Sequence, residues 1–191
     1  MGDEKEEGHA AHEAILTTRL RLRRCMPADK PVMAALSADQ AVAENLCNAI
    51  VLAGGGAFAI THRAEGAVLG CAGYGPTRER PTTIEAGLWI GAPWWDRGYG
   101  TEAAQALIDH AFADGQVDVL WCSNRVTNVR ARRVVEKCGF QFRGTGMVRS
   151  PTSFGAFPVE RFALDRRNWA SLKAWGAPEA DGGRTQRETA A

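Results

Sequence analysis

Between Ile84 and Phe112 the apolar residues change their period from two to about 3.6 across one short loop, which limits the chain to folds where a strand feeds a helix. Ile84, Ala86, Leu88 and Ile90 alternate with Glu85, Gly87 and Trp89, the pattern of a strand with two distinct faces. Glu85 therefore shares a face with Gly87 and Trp89. Past the loop, Ala103, Ala104, Leu107, Ile108, Ala111 and Phe112 recur at helical spacing, while Glu102, Gln105 and Asp109 fall on other faces. The spacing predicts a helix beginning near Thr101. Gly98 and Gly100 lie between the two elements. Their missing Cβ atoms let successive backbone N–H groups converge on an anion at a helix start, where the helix dipole also favours negative charge. A diphosphate fits such a loop.

Two known patterns share this arrangement. Gly98, Tyr99, Gly100, Thr101, Glu102, Ala103 matches the Gly-x-Gly-x-x-Gly/Ala fingerprint of dinucleotide-binding folds. That fingerprint follows its strand almost directly and is answered about 20 residues later by an acidic residue ending the next strand. Here the loop from Gly91 to Arg97 intervenes, and the next candidate strand, Val117 to Cys122, runs into Ser123 and Asn124, so the fingerprint's context is missing.

The second pattern is the Gln/Arg-x-x-Gly-x-Gly/Ala signature of the GNAT acyltransferases, which Trp95, Asp96, Arg97, Gly98, Tyr99, Gly100 resembles with Trp95 in first place. The longer string from Glu85 through Trp95 and Arg97 to Ala103 resembles the RimJ/RimL-like branch, where Trp at that place is familiar. A second block agrees. Asn128 to Phe140 is similar to that branch's Asn-x-x-Ser block with its following Leu-Glu-Lys-x-Gly-Phe, except that Ala131 replaces the Ser.

Composition narrows the function classes. The 191 residues, 45% of them hydrophobic, suffice for one domain with a real core, and a formal net charge of +1 gives no global electrostatic argument for nucleic acid or an anionic membrane. The five cysteines, Cys25, Cys47, Cys71, Cys122 and Cys138, contain no C-x-x-C pair, so reduced thiols and no metal are expected. No segment approaches the roughly 20 apolar residues that span a bilayer, and Gly2 to Glu13 lacks a signal peptide's basic and apolar regions. A cytoplasmic protein is the expectation.

In chain order, residues 1–14 read as a disordered segment, residues 15–175 as one domain and residues 176–191 as a disordered tail. Leu16 to Arg24 alternates as a first strand. Pro27 to Ser37 and Asp39 to Leu52 carry helical spacing, stopped by Gly54, Gly55 and Gly56, a loop tip with no Lys or helix start after it to make a phosphate loop. Ala57 to Thr61 and Ala67 to Tyr74 read as a hairpin, Val117 to Cys122 as a strand, and Asn128 as the cap of a helix with Ala131, Val134, Val135 and Cys138 on one stripe, ended by Gly139. Phe140 to Val148 and Phe157 to Leu164 close the sheet, and Trp169, Leu172 and Trp175 pack the last ordered turn. His62 and His110 look structural.

This order resembles GNAT topology over about residues 16 to 168. The resemblance implies an α/β (α+β) fold with a mixed, mostly antiparallel central sheet of six to seven strands and helices on both faces. It implies acetyl-CoA as cosubstrate, its diphosphate on the backbone around Arg97, Gly98, Tyr99, Gly100 and Thr101, its pantetheine beside Trp89 and Ile90, Asn128 reaching the CoA arm, and Arg130 as a cofactor-binding candidate that could approach the adenosine 3′-phosphate or belong to a solvated face. Arg132 and Arg133 could approach the 3′-phosphate or form a solvated face. Glu85 is the candidate base, because attack on a thioester needs a neutral amine and a carboxylate can take the ammonium proton directly or through one water. Trp94 and Trp95 are assigned no chemistry. The expected activity is direct acetyl transfer to a primary amine, on a protein N-terminus or a small molecule. The alternative is an acyl-CoA-binding module without turnover, which the Ala at 131 would suit. The acceptor carries no motif: Asp39, Glu44 and Glu79 could receive a cation or be surface charges, and a homodimer stays open.

Overall fold

The computed structural model describes residues 14–46, 57–76, 80–113, 115–149 and 155–176. The alternating segments assemble into one eight-stranded sheet, ordered β1-β2-β3-β4-β5-β6-β8-β7. Its strands are β1 (Ile15–Leu16), β2 (Leu20–Arg24), β3 (Ala57–His62), β4 (Val68–Pro76), β5 (Ile84–Ile90), β6 (Val119–Arg125), β7 (Gln141–Arg149) and β8 (Ala156–Asp165). Every neighbouring pair is antiparallel except β5 with β6, whose parallel register holds only Ile84 to Leu120 and Glu85 to Trp121.

The eighth strand comes from breaking the expected strand Leu16 to Arg24 in two. The Thr17 hydroxyl accepts the Leu20 N–H at 2.8 Å, and its own N–H bonds the Leu20 carbonyl at 2.9 Å, so the chain turns and β1 folds back on β2. A threonine competing locally for backbone bonds decides this, and alternation alone does not reveal it.

Helices cover both faces. On one lie α1 (Lys30–Ala38) and α2 (Gln40–Ala43), where Asp39 accepts the Ala41 N–H at 2.9 Å as cap. Val42 packs with Cys71 and Trp89, flanked by Met33 and Leu36. The remainder of the expected helix beyond Leu46, with the three glycines and Cys47, lies outside the described residues, as do Glu79 and both chain ends.

On the other face lie α3 (Tyr99–Ala113), α4 (Val129–Lys137) and α5 (Arg166–Gly176). α3 starts two residues before the expected Thr101. Its Ala103, Leu107, Ala111 and Phe112 are almost wholly buried against Leu20, Ile60, Leu69 and Leu120. Burying each large apolar side chain is worth about 1.5–3 kcal/mol, so this stripe anchors the helix to the sheet. α4 ends where Gly139 adopts φ 85° and its N–H returns to the Glu136 carbonyl at 3.0 Å, a conformation other residues resist. In α5, Trp169 stacks on Phe112 at 5.2 Å as expected of a packing residue, whereas Trp175 is 93% exposed and packs nothing.

Candidate active site

Because β5 and β6 pair over two residues and then part, a wedge opens between Ala86–Ile90 and Cys122–Arg125. A cavity of about 400 Å³ fills it, lined by both strands, by Gly98 to Thr101 at the start of α3 and by Asn128, Arg130 and Ala131 at the start of α4. Parallel strands normally continue their ladder, so the parting leaves backbone groups for a ligand lying along the wedge.

The glycine loop is shaped from three directions. Asp96 and Gly98 both take positive φ, 58° and 81°, which turns the chain from the strand end into the helix. Glu102 accepts the Thr17 hydroxyl at 2.6 Å, the Arg19 N–H at 2.8 Å and the Arg19 guanidinium at 2.7 Å. Arg19 also donates to the Arg97 carbonyl at 2.9 Å and covers the Tyr99 ring at 4.5 Å. Burial works against the Glu102 charge, but the Thr17 and Arg19 bonds outweigh it and hold the carboxyl below its ordinary range. A Cβ on Gly98 would sit 3.3 Å from the Arg19 guanidinium, so that residue is small for the clamp as well as for its φ.

Gly100 is small for neither reason. An added Cβ would lie 3.8 Å from Val134 and 3.9 Å from Ile90, ordinary contact distances, and its φ is unexceptional. What its bareness keeps open is the cavity. The first backbone bond of α3 runs from the Glu102 N–H to the Gly98 carbonyl, so the preceding N–H groups stand ahead of the helix ladder. This donor set suits a diphosphate, and the Arg130, Arg133 and Lys137 side chains that line the cavity add positive charge.

The other expected ligand residues divide. Trp89, Ile90, Gly98, Tyr99, Gly100, Thr101, Asn128 and Arg130 all line the cavity. Arg97 does not: its guanidinium covers the Trp94 ring at 5.5 Å. Asn128 spends its side-chain oxygen on the Ala131 N–H at 3.0 Å, capping α4. Arg130 spans from α4 to the loop, 3.5 Å from Asp96 and 5.0 Å over the Trp95 ring. Arg132 turns away to Glu136 and Glu160 at 2.9 and 2.8 Å. Trp95 donates its indole N–H to the Ile90 carbonyl at 2.6 Å, so the residue at the signature's first place braces the loop against the strand.

Glu85 sits at the last paired position of β5 and β6, buried, with Arg80 at 3.3 Å and the Arg80 guanidinium over the Trp121 ring at 4.8 Å. The lining of the cavity on β5 begins one residue later, at Ala86. Glu85 points to the α1–α2 face with Gly87 and Trp89, where Val42, Leu46, Trp89 and Trp95 form an apolar wall. Arg125 ties this wall to β6 through a hydrogen bond to the Glu44 carbonyl. Of the acids that could have received a cation, Asp39 caps α2, Glu44 accepts from Gln40 at 2.8 Å, and neither lines the cavity.

Among the described residues, two buried side-chain polar atoms have no hydrogen-bond partner, Trp89 Nε1 and Asn124 Nδ2, and both residues line this cavity. No group of three or more His, Cys, Asp or Glu among those residues is placed to hold a metal ion. His62 and His110 pack edge-on against Tyr99 at 5.9 Å and Phe58 at 5.6 Å, as structural histidines do.

Residues 19–141 match the family described as Acetyltransferase (GNAT) domain, well over half of the chain. The chain belongs to the GNAT acetyltransferase family. Solved GNAT structures share its fold. An acetyltransferase of the GNAT family from Bacillus anthracis superposes with a TM-score of 0.67 at 19% identity, covering 80% of this chain and 98% of that one. An acetyltransferase from Agrobacterium tumefaciens str. C58 gives 0.64 at 20%, covering 81% and 95%. The aminoglycoside acetyltransferase AAC(6′)-Ib, in complex with coenzyme A and kanamycin, gives 0.63 at 20%, covering 81% and 99%. No protein of curated function matches the sequence. The GNAT fold expected from the two motif blocks is thus the fold found, with one strand more than expected. None of the described helices is long and apolar enough to cross a membrane.

Sequence reading missed two parts of this GNAT site. Arg19 lies 78 residues from the Arg97 it holds, so no local pattern links them. Asn124 did leave a signal: Leu120, Cys122 and Asn124 share a face of β6, and a polar third member on an otherwise apolar face calls for a partner.

Proposed function

We propose that this GNAT protein is a cytoplasmic N-acetyltransferase of the RimJ/RimL-like branch, moving an acetyl group from acetyl-CoA to a primary amine by direct attack. The observation that carries the reading is Gly100, bare of a side chain that its own surroundings would accommodate, at a helix start that lines the wedge. Acetyl-CoA supplies the activated acyl group. The backbone from Gly98 to Thr101 holds its diphosphate, Arg130 and Arg133 neutralise phosphate charge from α4, and the edges of β5 and β6 hold the extended arm. Coenzyme A in the complex of the AAC(6′)-Ib neighbour supports the cosubstrate, and kanamycin there supports an amine as acceptor.

On the α1–α2 face, Val42, Leu46, Trp89 and Trp95 exclude water around the acceptor amine. Glu85, its carboxylate directed by Arg80, takes the ammonium proton through one water across the gap that Gly87 leaves without a side chain. The nitrogen lone pair forms the new C–N bond, the C–S bond breaks with its electron pair leaving on sulfur, and the second proton of the acylated nitrogen passes to solvent to leave the neutral amide. A protein N-terminus and a small-molecule amine both satisfy this chemistry. The test is thiol release from acetyl-CoA across a panel of amines. Release that depends on the amine is expected; binding of acetyl-CoA without release by any amine would make the protein the binding module that Ala131 suits.

A further inference from the structure

The leaving sulfur takes up charge as the C–S bond breaks, and at position 131, where the resembled block has a Ser whose hydroxyl could donate to it, this chain has Ala. We infer that Asn124 supplies that donor: its side-chain amide holds the thiolate sulfur as the C–S bond breaks. The assignment rests on the cosubstrate reading above.

Four observations converge on it. Asn124 Nδ2 is buried with no partner among the described residues, in a cavity that also contains Ala131. Its direction follows from register. Asn124 pairs with Glu160 across β6 and β8, directly opposite residues of a ladder share a face, and Glu160 reaches Arg132 of α4 at 2.8 Å. Asn124 therefore stands on the face that α4 covers, where Ala131 begins the inward stripe. Glu160, the residue opposite in the ladder, turns its Oε1 to Arg132 and makes no hydrogen bond to the amide. Asn128 is engaged too, its oxygen holding the Ala131 N–H at 3.0 Å.

Chemistry selects the role. An amide N–H donates and does not transfer its proton, so Asn124 stabilises the thiolate by a hydrogen bond while solvent later delivers the proton. A buried unsatisfied donor costs the free protein stability and persists where function uses it. The orphaned Trp89 Nε1 belongs to the opposite face of the sheet, where Trp89 packs with Val42, whereas Asn124 is on the face of Ala131.

The decisive measurement needs no acceptor amine. Bound CoA is titrated by the ultraviolet absorbance of its thiolate, with the same protein carrying acetyl-CoA, which has no thiol, as blank. A donor at the sulfur favours the charged form, so the wild-type complex should titrate below free CoA measured in the same buffer. Asn124→Leu keeps the volume and removes the donor: the bound thiol should rise by about one to two pH units relative to wild type, the effect of one hydrogen bond to a charged acceptor. Arg130, Arg133 and Lys137 line the same cavity and act equally in both proteins, so the difference isolates the amide. Adding Ala131→Ser to Asn124→Leu should bring the thiol back down. The thermal midpoint of the unloaded Asn124→Leu protein should hold or rise. Equal thiol titration in wild type and variant would overturn the assignment, as would a lower midpoint, which would reveal a structural partner for the amide. Asn124→Ala gives the same comparison should the leucine variant fail to fold. A wild-type protein that binds no CoA would instead remove the cosubstrate reading, and this assignment with it.

Discussion

The two sides of the wedge are built on different principles. On the α3 side the cavity surface is backbone: a helix start, a positive φ at Gly98 and a side chain missing at Gly100. On the α1–α2 side it is side chains, Val42, Leu46 and Trp89 packed on one another, with Glu85 at the foot. A backbone site restricts residue identity at fixed spacings, whereas an apolar wall accepts many sequences of equal volume. That difference explains why one side carries a motif in the sequence and the other does not, and it makes the sides separable by mutation.

Glu85→Gln should have the largest effect. Turnover should fall by about 10² to 10⁴ while acetyl-CoA affinity stays, with rate recovering as pH rises toward the acceptor's own pKa. A variant that loses acetyl-CoA affinity would move Glu85 to the cofactor side and break the division. Gly100→Val should do the reverse, weakening acetyl-CoA binding more than tenfold, about 1.4 kcal/mol, in calorimetry. Its fold should survive, because the first added carbon has room at 3.8 Å. Unchanged affinity would end the phosphate role of the loop.

Leu46→Ala sharpens the contrast from the apolar side. The acceptor's KM should rise by about tenfold or less with acetyl-CoA affinity unaltered, since the loss is of contact area alone. Ala131→Ser should change the rate by less than tenfold, because Asn124 already serves the sulfur. A gain of a hundredfold would show that the missing hydroxyl limits turnover.

The smallest expected effect concerns acid stability. The Arg23 hydrogen bonds hold the Asp29 carboxyl below its ordinary value, and those of Thr17 and Arg19 do the same for Glu102 against its burial. A depressed folded-state pKa adds stability that is fully present above the unfolded values of about 3.9 and 4.3 and is lost as pH falls through the folded ones. Asp29→Asn should lower the midpoint at neutral pH and flatten its decline below about pH 4. A decline as steep as wild type's would mean that other carboxylates carry it.

What the sequence disclosed follows the same division. The switch of period at Gly98, the Asn128 cap and the Gly139 stop are local, enforced by backbone geometry, and all three stand in the structure. The break at Thr17 was hidden because a side-chain bond overrides a good alternating pattern. β6 begins two residues later and ends three residues later than the expected Val117 to Cys122, because Ser123, Asn124 and Arg125 look like a loop in sequence but pair with Arg161, Glu160 and Val159 of β8. The Arg19 clamp and the Arg125 tie join distant segments and have no signature in one chain.

The two-residue register between β5 and β6 has a mechanical consequence. Five strands on one side and three on the other meet at a seam of two paired positions, so the sheet behaves as two plates sharing a short weld. A molecule lying along the wedge would bond to both plates and take the place of the missing rungs. Binding then stiffens the whole molecule: at a hundred times its dissociation constant such a splint adds about 2.7 kcal/mol of resistance to unfolding, and exchange of the amides flanking the weld should slow on both sides together.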